Sequence, residues 1–576
     1  MKRWFKYVSP YKAYFILGPL CMILEVIGEV LMPKFLSMII NNAATNTPMY
    51  SVGVSALMVL TAVIMMLGGV GGSYFGAKAS VNFAADLRED IYSRVQEFSF
   101  SNIDKFSTGS LVTRLTNDVT QLQNFVNMLL RMALRAPGML IGAIIMAVLL
   151  RPDLATVLAI TIPLMLISIL GIITKGFSLF SKVQKKVDGL NSTVQENVTN
   201  TRVVRSFVRE DFENDKFKKA NSELKSAGLK AMRTMILISP IMTLFMNLTT
   251  LAVVWFGGNI VIGGSMPIGD LSAFITYVTQ ILSSLMMVTF MMMMSSRALA
   301  SAGRISEVLD EDIDLSDENA SQKEKIITVG EIEFKNVSFR YYKNSQDCVL
   351  NAINLKIPAR STVGIIGSTG CGKTTLVSMI PRLYDCDEGE VLVDNVNVKD
   401  YSLYNLREGI GMVLQKNTLF SGTIKDNILW GNSDATDDEI EYAAQQAAAD
   451  KFINNFNKGY EYDLGQGGSN VSGGQKQRLC IARALIKKPK IIILDDSTSA
   501  VDTATEAQIR KAFHDELKES TKIIIAQRIT SVMDADMIVV MDEGIITGVG
   551  THEELLKNNL EYQEIYYSQM EKKEAQ

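Results

Sequence analysis

The chain has 576 residues, which corresponds to roughly three to four domains' worth of sequence and is too long for one hydrophobic core. Its formal net charge of −4 does not make it a polycation, so nucleic acid is not expected as the main partner. The five cysteines are scattered and form no Cys-x-x-Cys pair, so neither a disulfide framework nor a zinc site is indicated. Reduced, cytosolic thiols are the simplest expectation.

Long apolar runs are concentrated in the first half of the chain. A helix needs about 20 predominantly apolar residues to cross the hydrocarbon core of a bilayer. The candidate spans are Ala13–Ile40, Val52–Ala77, Val126–Leu150, Leu154–Thr174, Thr234–Gly257 and Leu271–Ser296. These six runs predict a multi-pass membrane domain.

The distribution of basic residues predicts how these spans are oriented. The loops Asn41–Ser51 and Gly258–Asp270 contain no Lys or Arg, whereas the segments between spans two and three and between four and five are rich in both. Basic residues favour the cytoplasmic side, so both termini are expected in the cytosol. The chain is therefore predicted to lie in the cell membrane with any nucleotide site on the cytoplasmic side.

Two long cytoplasmic segments, Lys78–Phe125 and Lys175–Arg233, are expected to continue the membrane helices. Each is interrupted by polar turn chemistry, at Asn102–Gly109 and at Asn200–Glu210. Short helices at these breaks would either dock on a nucleotide domain and transmit its motion or form part of a solvated stalk. The pattern alone leaves both alternatives open.

Two pairs of ionisable residues lie within the first and third spans. Glu25 and Glu29 share one helix face, and Arg131 and Arg135 repeat the same spacing. Ionisable groups at membrane depth are often functional, so our hypothesis is that Glu25 or Glu29 faces a water-filled cavity and attracts cationic cargo. The alternative is a structural ion pair or an interfacial position, and the sequence leaves open which residues face the cavity.

The segment Gly367–Thr374 matches the pattern G-x-x-x-x-G-K-[ST]. Its glycines let the backbone curl so that N–H groups form an anion-binding nest at a helix start. Lys373 would reach the β- and γ-phosphates, and the Thr374 hydroxyl would bind Mg²⁺. The flanking sequence predicts a buried strand over Ser361–Ile366 and an amphipathic helix over Thr375–Tyr384.

The remainder of the second half predicts an α/β domain around this loop. A strand is predicted over Ile332–Phe339, followed by Tyr341, whose ring can stack on adenine. A second buried strand, Ile491–Asp495, ends in a carboxylate suited to Mg²⁺.

A Ser-Gly-Gly turn at Ser472–Gln475 leads into a helix predicted over Gln475–Ile486 and forms a second anion site. One domain seldom needs two phosphate sites. The sequence therefore predicts a dimer in which each nucleotide is shared by two domains.

Together these motifs resemble a half-transporter of the ABC exporter superfamily, in which six spans are fused to one nucleotide-binding domain. The resemblance covers essentially the whole chain. It implies an all-α transmembrane domain at residues 1–308, a linker at 309–325 and an α/β P-loop NTPase domain at 326–576. It also implies coupling helices near Asp104–Gly109 and Arg202–Glu210.

The resemblance further implies ATP and Mg²⁺ as cofactors. The implied nucleotide contacts are Tyr341, Gly367, Ser368, Thr369, Gly370, Cys371, Gly372, Lys373, Thr374, Thr375, Ser472, Gly473, Gly474, Gln475 and Asp502. The implied Mg²⁺ ligands are Thr374, Gln415 and Asp495, and the implied catalytic residues are Asp496, Gln527 and Gln415.

Two departures from the family pattern concern hydrolysis. The family has Glu after the strand-terminal Asp to polarise water, and this chain has Asp496, whose carboxylate falls back by roughly 1.5 Å, a misplacement that can cost about a hundredfold in rate. The family has His in the switch segment, and this chain has Gln527, which can bond a γ-phosphate but carries no positive charge. The signature turn at Ser472–Gln475 is nearly intact, with Val471 in place of Leu.

This asymmetry resembles one subunit of the heterodimeric bacterial multidrug-type exporters. It implies that Lys373, Asp495, Asp496 and Gln527 build a weakly hydrolytic site together with the partner's signature. Ser472–Gln475 would complete the competent site of a different half-transporter, which is predicted to have Glu and His at the matching positions and an altered signature. The alternative is a homodimer in which Asp496 acts as a slow base.

The resemblance implies an ATPase that drives export of small amphipathic or drug-like cargo out of the cell, with membrane lipids as further partners. A lipid or peptide exporter is an alternative of the same class, and lipid export would be favoured if Arg131 and Arg135 face the cavity. An ATP-sensing regulator that transports nothing is an alternative of another class. The sequence leaves the cargo, the partner and any regulation open.

Overall fold

The computed structural model describes residues 2–45, 48–342, 347–496 and 503–574. The chain divides into two compact units. The first contains Met1–Val95 and Gly109–Asp310, and the second contains Gln96–Thr108 and Glu311–Gln576. A short segment from the helical half of the sequence therefore belongs to the second unit.

The helical half of the chain contains twelve α-helices within its described residues. They are α1 (Lys2–Val8), α2 (Lys12–Thr45), α3 (Pro48–Gln96), α4 (Phe100–Phe106), α5 (Thr108–Thr113), α6 (Val119–Met132), α7 (Arg135–Leu150), α8 (Pro152–Thr199), α9 (Thr201–Ser206), α10 (Glu210–Met235), α11 (Ile238–Ile262) and α12 (Ile268–Leu309). A π-helical turn at Arg114–Asp118 joins α5 to α6. The short helices α4 and α9 fall at the two predicted breaks.

Six helical stretches of the described residues are long and apolar enough to cross a membrane. They are Arg3–Ala43, Met49–Gln96, Thr108–Leu150, Pro152–Thr199, Glu210–Ile262 and Ile268–Met291. The first five contain a predicted span in full, and the sixth contains most of one within a helix that continues to Leu309. The prediction of six membrane spans is confirmed.

The packing of these helices suits a bilayer as solvent. Side chains such as Phe274, Tyr277 and Ile281 of α12 are fully buried against the neighbouring helices. On α8, in contrast, Ile160 and Ile167 are 72% and 68% exposed. Lipid tails cover such surfaces without the free-energy cost that water would impose, so an outward apolar face is expected of a membrane helix.

The second unit is an α/β domain with two main sheets. Its strands are β1 (Ile332–Phe339), β2 (Leu350–Ile357), β3 (Thr362–Gly367), β4 (Glu388–Val393), β5 (Val396–Asn397), β6 (Ile410–Val413), β7 (Gly422–Thr423), β8 (Asp463–Leu464), β9 (Ile491–Asp495), β10 (Thr521–Ile525), β11 (Met537–Asp542) and β12 (Ile545–Gly550). Strand order is β2-β1-β4-β5 in the antiparallel sheet and β12-β11-β3-β10-β9-β6 in the larger one, and β7 pairs with β8.

The register of the larger sheet places the functional strand ends at one edge. Strand β10 is parallel to both β3 and β9, so that Ile525 pairs with Ile365 on one side and with Asp495 on the other. Parallel strands end at the same edge of a sheet, and ligands of open α/β sheets bind outside their carboxyl ends. The loop after β3 and the carboxylate that ends β9 therefore lie at the same edge.

Helices surround these sheets in the second unit. They are α13 (Lys373–Ser378), α14 (Leu403–Glu408), α15 (Ile424–Leu429), α16 (Asp437–Gln446), α17 (Asp450–Asn454), α18 (Gly473–Leu485), α19 (Thr503–Glu516), α20 (His552–Asn558) and α21 (Leu560–Glu574). Between Leu309 and Ile332 the described backbone forms turns but no helix or strand.

The strands and helices predicted for this unit are present, but one predicted helix is shorter than expected. The strands over Ile332–Phe339 and Ile491–Asp495 have the predicted bounds, but the helix after the glycine-rich loop ends at Ser378 rather than at Tyr384. Beyond Ser378 the backbone forms turns with hydrogen bonds to the third preceding residue. Pro381 lacks an N–H and disfavours helical geometry in the residue before it, which explains the early end.

Candidate nucleotide-binding site

The loop between β3 and α13 has a backbone that only glycine adopts at low cost. Gly367, Gly370 and Gly372 have φ angles of 157°, 87° and 98°. A Cβ atom at Gly367 would lie 2.0 Å from the carbonyl oxygen of Met541, and one at Gly372 would lie 2.9 Å from that of Val349. The three glycines therefore permit both the curl of the loop and its close approach to neighbouring backbone.

The lysine of the loop lies over the loop itself. Lys373 Nζ donates hydrogen bonds to the carbonyl oxygens of Gly367 at 2.9 Å and Ser368 at 2.6 Å, and it lies 3.5 Å from the Sγ atom of buried Cys371. Its ammonium group therefore lies beside the backbone of the loop, and its contact with a bound phosphate stays a prediction.

Thr374 and Asp495 meet at the sheet edge, although 121 residues separate them. The Thr374 hydroxyl lies 2.9 Å from Oδ2 and 3.1 Å from Oδ1 of Asp495. Oxygen ligands in adjacent octahedral positions, each about 2.1 Å from Mg²⁺, are separated by about 3 Å. The donor set and its spacing therefore fit Mg²⁺, which takes few carboxylates and keeps several waters.

The two consecutive carboxyl groups at the end of β9 both have pKa values above the ordinary value of an aspartate. Burial raises the pKa of Asp495, and the hydrogen bond from Thr374 opposes that shift. Burial also raises the pKa of Asp496, and hydrogen bonds from Gln415 and Gln527 oppose it. Two partly buried carboxylates side by side favour a cation between or beside them.

The three predicted catalytic residues come together around Asp496. Gln527 Nε2 donates to Asp496 Oδ2 at 2.8 Å, and the Gln415 side chain also hydrogen-bonds to this carboxylate. The backbone of Asp496 has a φ of 48°, and its N–H donates to the carbonyl oxygen of Ile525 at 3.0 Å. A non-glycine residue in this region of φ is uncommon, and such strain clusters at functional sites.

Tyr341 is placed beside the loop helix. Its hydroxyl oxygen lies 3.0 Å from Thr375 Oγ1, and its ring packs edge-to-face on Phe339 and Tyr384. The residue remains 42% exposed. This position and exposure fit a ring that stacks on a purine base bound at the loop.

The signature turn forms a capping box at the start of α18. Gln475 N donates to Ser472 Oγ at 3.3 Å, and Ser472 N donates to Gln475 Oε1 at 2.9 Å. A Cβ atom at Gly473 would have no atom within 4 Å, so this glycine faces open space. The polar contacts of Ser472 and Gln475 are made with each other rather than with the glycine-rich loop.

Gly474 lies in the first turn of α18, and Thr369 and Gly370 are exposed residues of the glycine-rich loop. Asp502, also predicted as a nucleotide contact, lies outside the described residues. The structure therefore brings together the glycine-rich loop, Asp495, Asp496, Gln415 and Gln527 in one chain, while the hydrogen bonds described for Ser472 and Gln475 lie within the signature turn.

Sequence reasoning missed several residues that support the site. Tyr384 packs on Tyr341 at a ring-centroid distance of 5.3 Å, but the sequence shows it only as the end of an expected helix. Ser531 donates to Glu506 at 2.6 Å and Arg510 donates to the carbonyl oxygen of Thr530 at 2.7 Å. These hydrogen bonds hold α19 against the segment that follows Gln527. No sequence motif predicts them.

The acidic pair of the first span has a basic partner in the structure. Arg135 Nη2 lies 3.1 Å from Glu25 Oε1 and 3.3 Å from Glu29 Oε2. Gln280 Nε2 donates to the backbone oxygen of Glu29 at 2.9 Å. The structural ion pair is thus the alternative that the structure displays, with two carboxylates for one guanidinium.

A helical membrane unit joined to an α/β unit with a phosphate-binding loop defines a nucleotide-driven membrane transporter. Residues 15–285 match the family described as the ABC transporter transmembrane region, and residues 350–499 match the family described as ABC transporter. The chain belongs to the ABC transporter family.

Similar proteins cover nearly the whole chain. An uncharacterized ABC transporter ATP-binding protein of Bacillus subtilis, YfiB, is 38% identical over 570 residues, which are 99% of this chain and 98% of YfiB. An ATP-dependent lipid A-core flippase of Syntrophus aciditrophicus is 34% identical over 485 residues, which are 84% of this chain and 80% of the flippase. A solved structure of a bacterial Atm1-family ABC exporter with ATP bound superposes with a TM-score of 0.79 at 25% identity, covering 96% of this chain and 98% of that chain.

The protein is accordingly an ABC half-transporter with a six-helix membrane domain and an α/β nucleotide-binding domain. It is an ATPase coupled to transport and an exporter subunit. It is a multi-pass membrane protein that binds nucleotide, and its half-transporter architecture calls for a second ABC subunit, either another chain or a copy of itself.

Proposed function

We propose that this chain is the weakly hydrolytic subunit of a heterodimeric exporter. The observation that carries the proposal is the 2.8 Å hydrogen bond from Gln527 Nε2 to Asp496 Oδ2. The residue that should polarise water is a shortened carboxylate, and it is held by a neutral amide instead of a cationic imidazole. Both substitutions lie in the same half-site, which is the part of a shared nucleotide site that this chain's own glycine-rich loop, Asp496 and Gln527 form.

The chemistry of this half-site disfavours rapid hydrolysis. A general base must reach the attacking water with a free acceptor, at about 2.6–3.2 Å. Asp496 accepts bonds from both Gln415 and Gln527, so its acceptor capacity is shared before water arrives. Its shorter side chain adds a displacement that costs about a hundredfold in rate.

The binding function of the same half-site is retained. Lys373 and the glycine-rich loop would hold the phosphates, and Tyr341 would stack on adenine. Thr374, Asp495 and Gln415 would hold Mg²⁺, which supplies charge neutralisation on the phosphates when bound. A site of this composition binds ATP and keeps it.

The nearly intact signature turn would contact the nucleotide bound to the partner half-transporter. Gly473 faces open space at the start of α18, a 13-residue helix whose first turn can meet an anion from a second subunit. We infer that Ser472–Gln475 completes a competent site on a different half-transporter with Glu and His at the positions matching Asp496 and Gln527.

The test is ATPase activity of this chain purified alone and together with a half-transporter of the same cell that has Glu and His at the matching positions. Negligible turnover alone and robust, cargo-stimulated turnover of the pair are expected. Full turnover by this chain alone would show that Asp496 and Gln527 are competent, and the homodimer would replace the heterodimer.

For the cargo, we propose small amphipathic or drug-like compounds. A lipid is the second candidate, since one relative is a lipid A-core flippase. Arg135, which a lipid head group would need, is already engaged by Glu25 and Glu29. Uptake of a fluorescent drug into inverted vesicles, compared with flipping of a labelled phospholipid in proteoliposomes, distinguishes the two cargo classes.

We further propose that the nucleotide-binding domain and both termini are cytoplasmic, on the basis of the uncharged loops and the basic segments between spans. A membrane-impermeant thiol reagent applied to intact cells should label Ser265→Cys, in the loop before α12, but not Ser192→Cys in α8. The opposite labelling pattern would reverse the proposed orientation.

A further inference from the structure

Tyr384 lies between the ring assigned to the nucleotide base and the short helix α4. Its ring centroid is 5.3 Å from that of Tyr341, and the two planes are perpendicular. On its other side the ring packs against Phe100 at 6.0 Å, and its hydroxyl donates to Asp104 Oδ2 at 3.2 Å. The perpendicular contact with Tyr341 is a favoured geometry of aromatic pairs, and together with the tilted contact with Phe100 it defines where the ring lies.

Tyr341 is in turn fixed by the loop helix. Its hydroxyl group hydrogen-bonds to Thr375 at 3.0 Å, and Thr375 is buried and follows the two loop residues that would contact phosphate and Mg²⁺. Phe339 packs on both tyrosine rings, at 5.0 Å and 5.5 Å between ring centroids. A base that stacks on Tyr341 therefore contacts a ring with little freedom to move away from Tyr384.

Helix α4 contacts the polar segment that begins at Glu311, where the chain enters the second unit again. Lys105 Nζ contacts both carboxylate oxygens of Glu311, at 2.7 and 2.8 Å. Asn102 Nδ2 donates to the backbone oxygen of Asp312 at 2.9 Å, and Ser101 bonds to Asp314. Because α4 is continuous in sequence with α3 before it and α5 after it, any shift of α4 pulls directly on the chain that enters the membrane unit.

We propose that Tyr384 is a positioning residue that couples occupancy of the base-binding ring, Tyr341, to helix α4. The proposal rests on the function proposed for Tyr341 and extends it, because it makes the purine base, rather than the phosphates, the part of the nucleotide that α4 senses. Burial raises the pKa of Tyr384, so its phenol stays protonated and continues to donate to Asp104 near neutral pH.

The effect of the purine base on α4 can be measured separately from the effect of the phosphates. Inorganic tripolyphosphate carries the phosphates of ATP but no ring to stack on Tyr341. Hydrogen–deuterium exchange of residues 100–106 in the assembled transporter should change on adding ATP and should not change on adding tripolyphosphate at saturation.

Variants of Tyr384 assign the effect to that side chain. Tyr384→Ala should abolish the response of residues 100–106 to ATP while weakening ATP binding by only about two- to tenfold, as expected for loss of one aromatic pair. Tyr384→Phe keeps the rings and loses the bond to Asp104, so it should retain a reduced response. Tyr342→Ala is the matched control, because Tyr342 is the neighbouring tyrosine and is 79% exposed.

Two results would overturn the coupling. One is an ATP response at residues 100–106 that survives in Tyr384→Ala, and the other is a response to tripolyphosphate equal to that to ATP. The second needs no variant, so the proposal stays testable if Tyr384→Ala fails to fold. Absence of ATP binding to this chain's own site, measured with a fluorescent ATP analogue, would instead contradict the proposed function.

Discussion

The side-chain amide of Gln527 donates a hydrogen bond of 2.8 Å to the carboxylate of Asp496, across 31 residues of sequence. The contact exists because Asp496 follows β9 and Gln527 follows β10, and these strands are parallel neighbours. It places the two departures from the family pattern in direct contact. The pair therefore acts as a unit and should be altered as a unit.

Restoring both residues should restore hydrolysis at this site. Asp496→Glu with Gln527→His lengthens the carboxylate and supplies a cationic partner, and a gain of about 10- to 100-fold is expected from the corrected placement. The measurement is ATP turnover of the pair in a Gly473→Asp background, which disables the other site. Asp496→Glu alone is the control and should recover less, and an unchanged rate in the double variant would contradict the assignment of a weak site.

The two composite sites should respond unequally to variants of this chain. Gly473→Asp places a carboxylate where a γ-phosphate of the partner's nucleotide would bind. Because a Cβ at this position meets no atom within 4 Å, the subunit itself should fold. Turnover of the pair should fall by about 100-fold or more, since like charges in a water-excluded site repel strongly.

Lys373→Ala should instead reduce ATP binding at this chain's own site and lower turnover only a few-fold. Gly473→Ser is the control for side-chain size without charge. Equal losses in Gly473→Asp and Lys373→Ala, compared as steady-state ATPase rates, would indicate two equivalent sites and hence the homodimer.

Removal of the Tyr341 ring should weaken nucleotide binding in a base-specific manner. Stacking of a base on an aromatic side chain contributes about 1–3 kcal/mol, so Tyr341→Ala should weaken ATP binding by about 5- to 100-fold. Tyr341→Phe retains the ring and loses only the bond to Thr375, so it should bind nearly as well. Competition against a fluorescent ATP analogue measures both, and an equal loss of affinity for tripolyphosphate would show that the variant damages the loop instead.

Asp394 should make the stability of the nucleotide-binding domain depend on pH. Its carboxylate accepts backbone N–H bonds from residues 328–331 at 2.7–3.0 Å. Burial by itself would raise the pKa of Asp394, but these hydrogen bonds outweigh it and the pKa is lowered from 3.8. The stability that Asp394 contributes is therefore present above that ordinary value and is lost as pH falls through the lowered pKa.

Asp394→Ala leaves these N–H groups without their acceptor and should lower the free energy of unfolding by roughly 1–3 kcal/mol near neutral pH. Thermal unfolding of the transporter between about pH 7 and pH 3 should show the difference between wild type and variant shrinking at the acid end. A difference that stays constant over this range would exclude the charged form as the stabilising species.

The acidic pair of the first span gives a prediction about cargo. Arg135 is shared by Glu25 and Glu29, so two carboxyl groups face one guanidinium at this position. Glu25→Gln with Glu29→Gln should reduce export of a cationic dye while leaving export of a neutral amphiphile unchanged. Dye efflux from cells is the measurement, and unchanged efflux of the cationic dye would remove the hypothesis that these residues attract cargo.

The variant Arg135→Gln removes the basic partner of this acidic pair and tests its contribution to stability. It leaves two adjacent carboxylates without a counter-ion, at side-chain exposures of 15% and 26% for Glu25 and Glu29. Breaking a partly buried pair in this way is strongly destabilising, so the melting temperature of the purified transporter should fall. Replacing all three residues, with Glu25→Gln, Glu29→Gln and Arg135→Gln together, should lower that temperature less, because no unpaired charge is then left among the helices.

Sequence alone determined the features of this protein that depend on local pattern. Apolar runs of about 20 residues predict membrane helices whatever their neighbours, because lipid forces backbone groups to bond within the segment. The glycines of 367–374 predict the phosphate loop because only their backbone can curl so tightly. The replacements at Asp496 and Gln527 are likewise visible without coordinates, and so is the strand that ends at Asp495.

Only the tertiary structure decided which distant side chains meet. The bond between Gln527 and Asp496 depends on the strand order of the larger sheet, and the ion pair of Arg135 with Glu25 and Glu29 depends on how α2 packs against α7. The position of Tyr384 between Tyr341 and α4 depends on the segment Gln96–Thr108 joining the second unit. Such contacts are set by chain topology and packing across long sequence separations, and the local pattern of the sequence does not encode them individually.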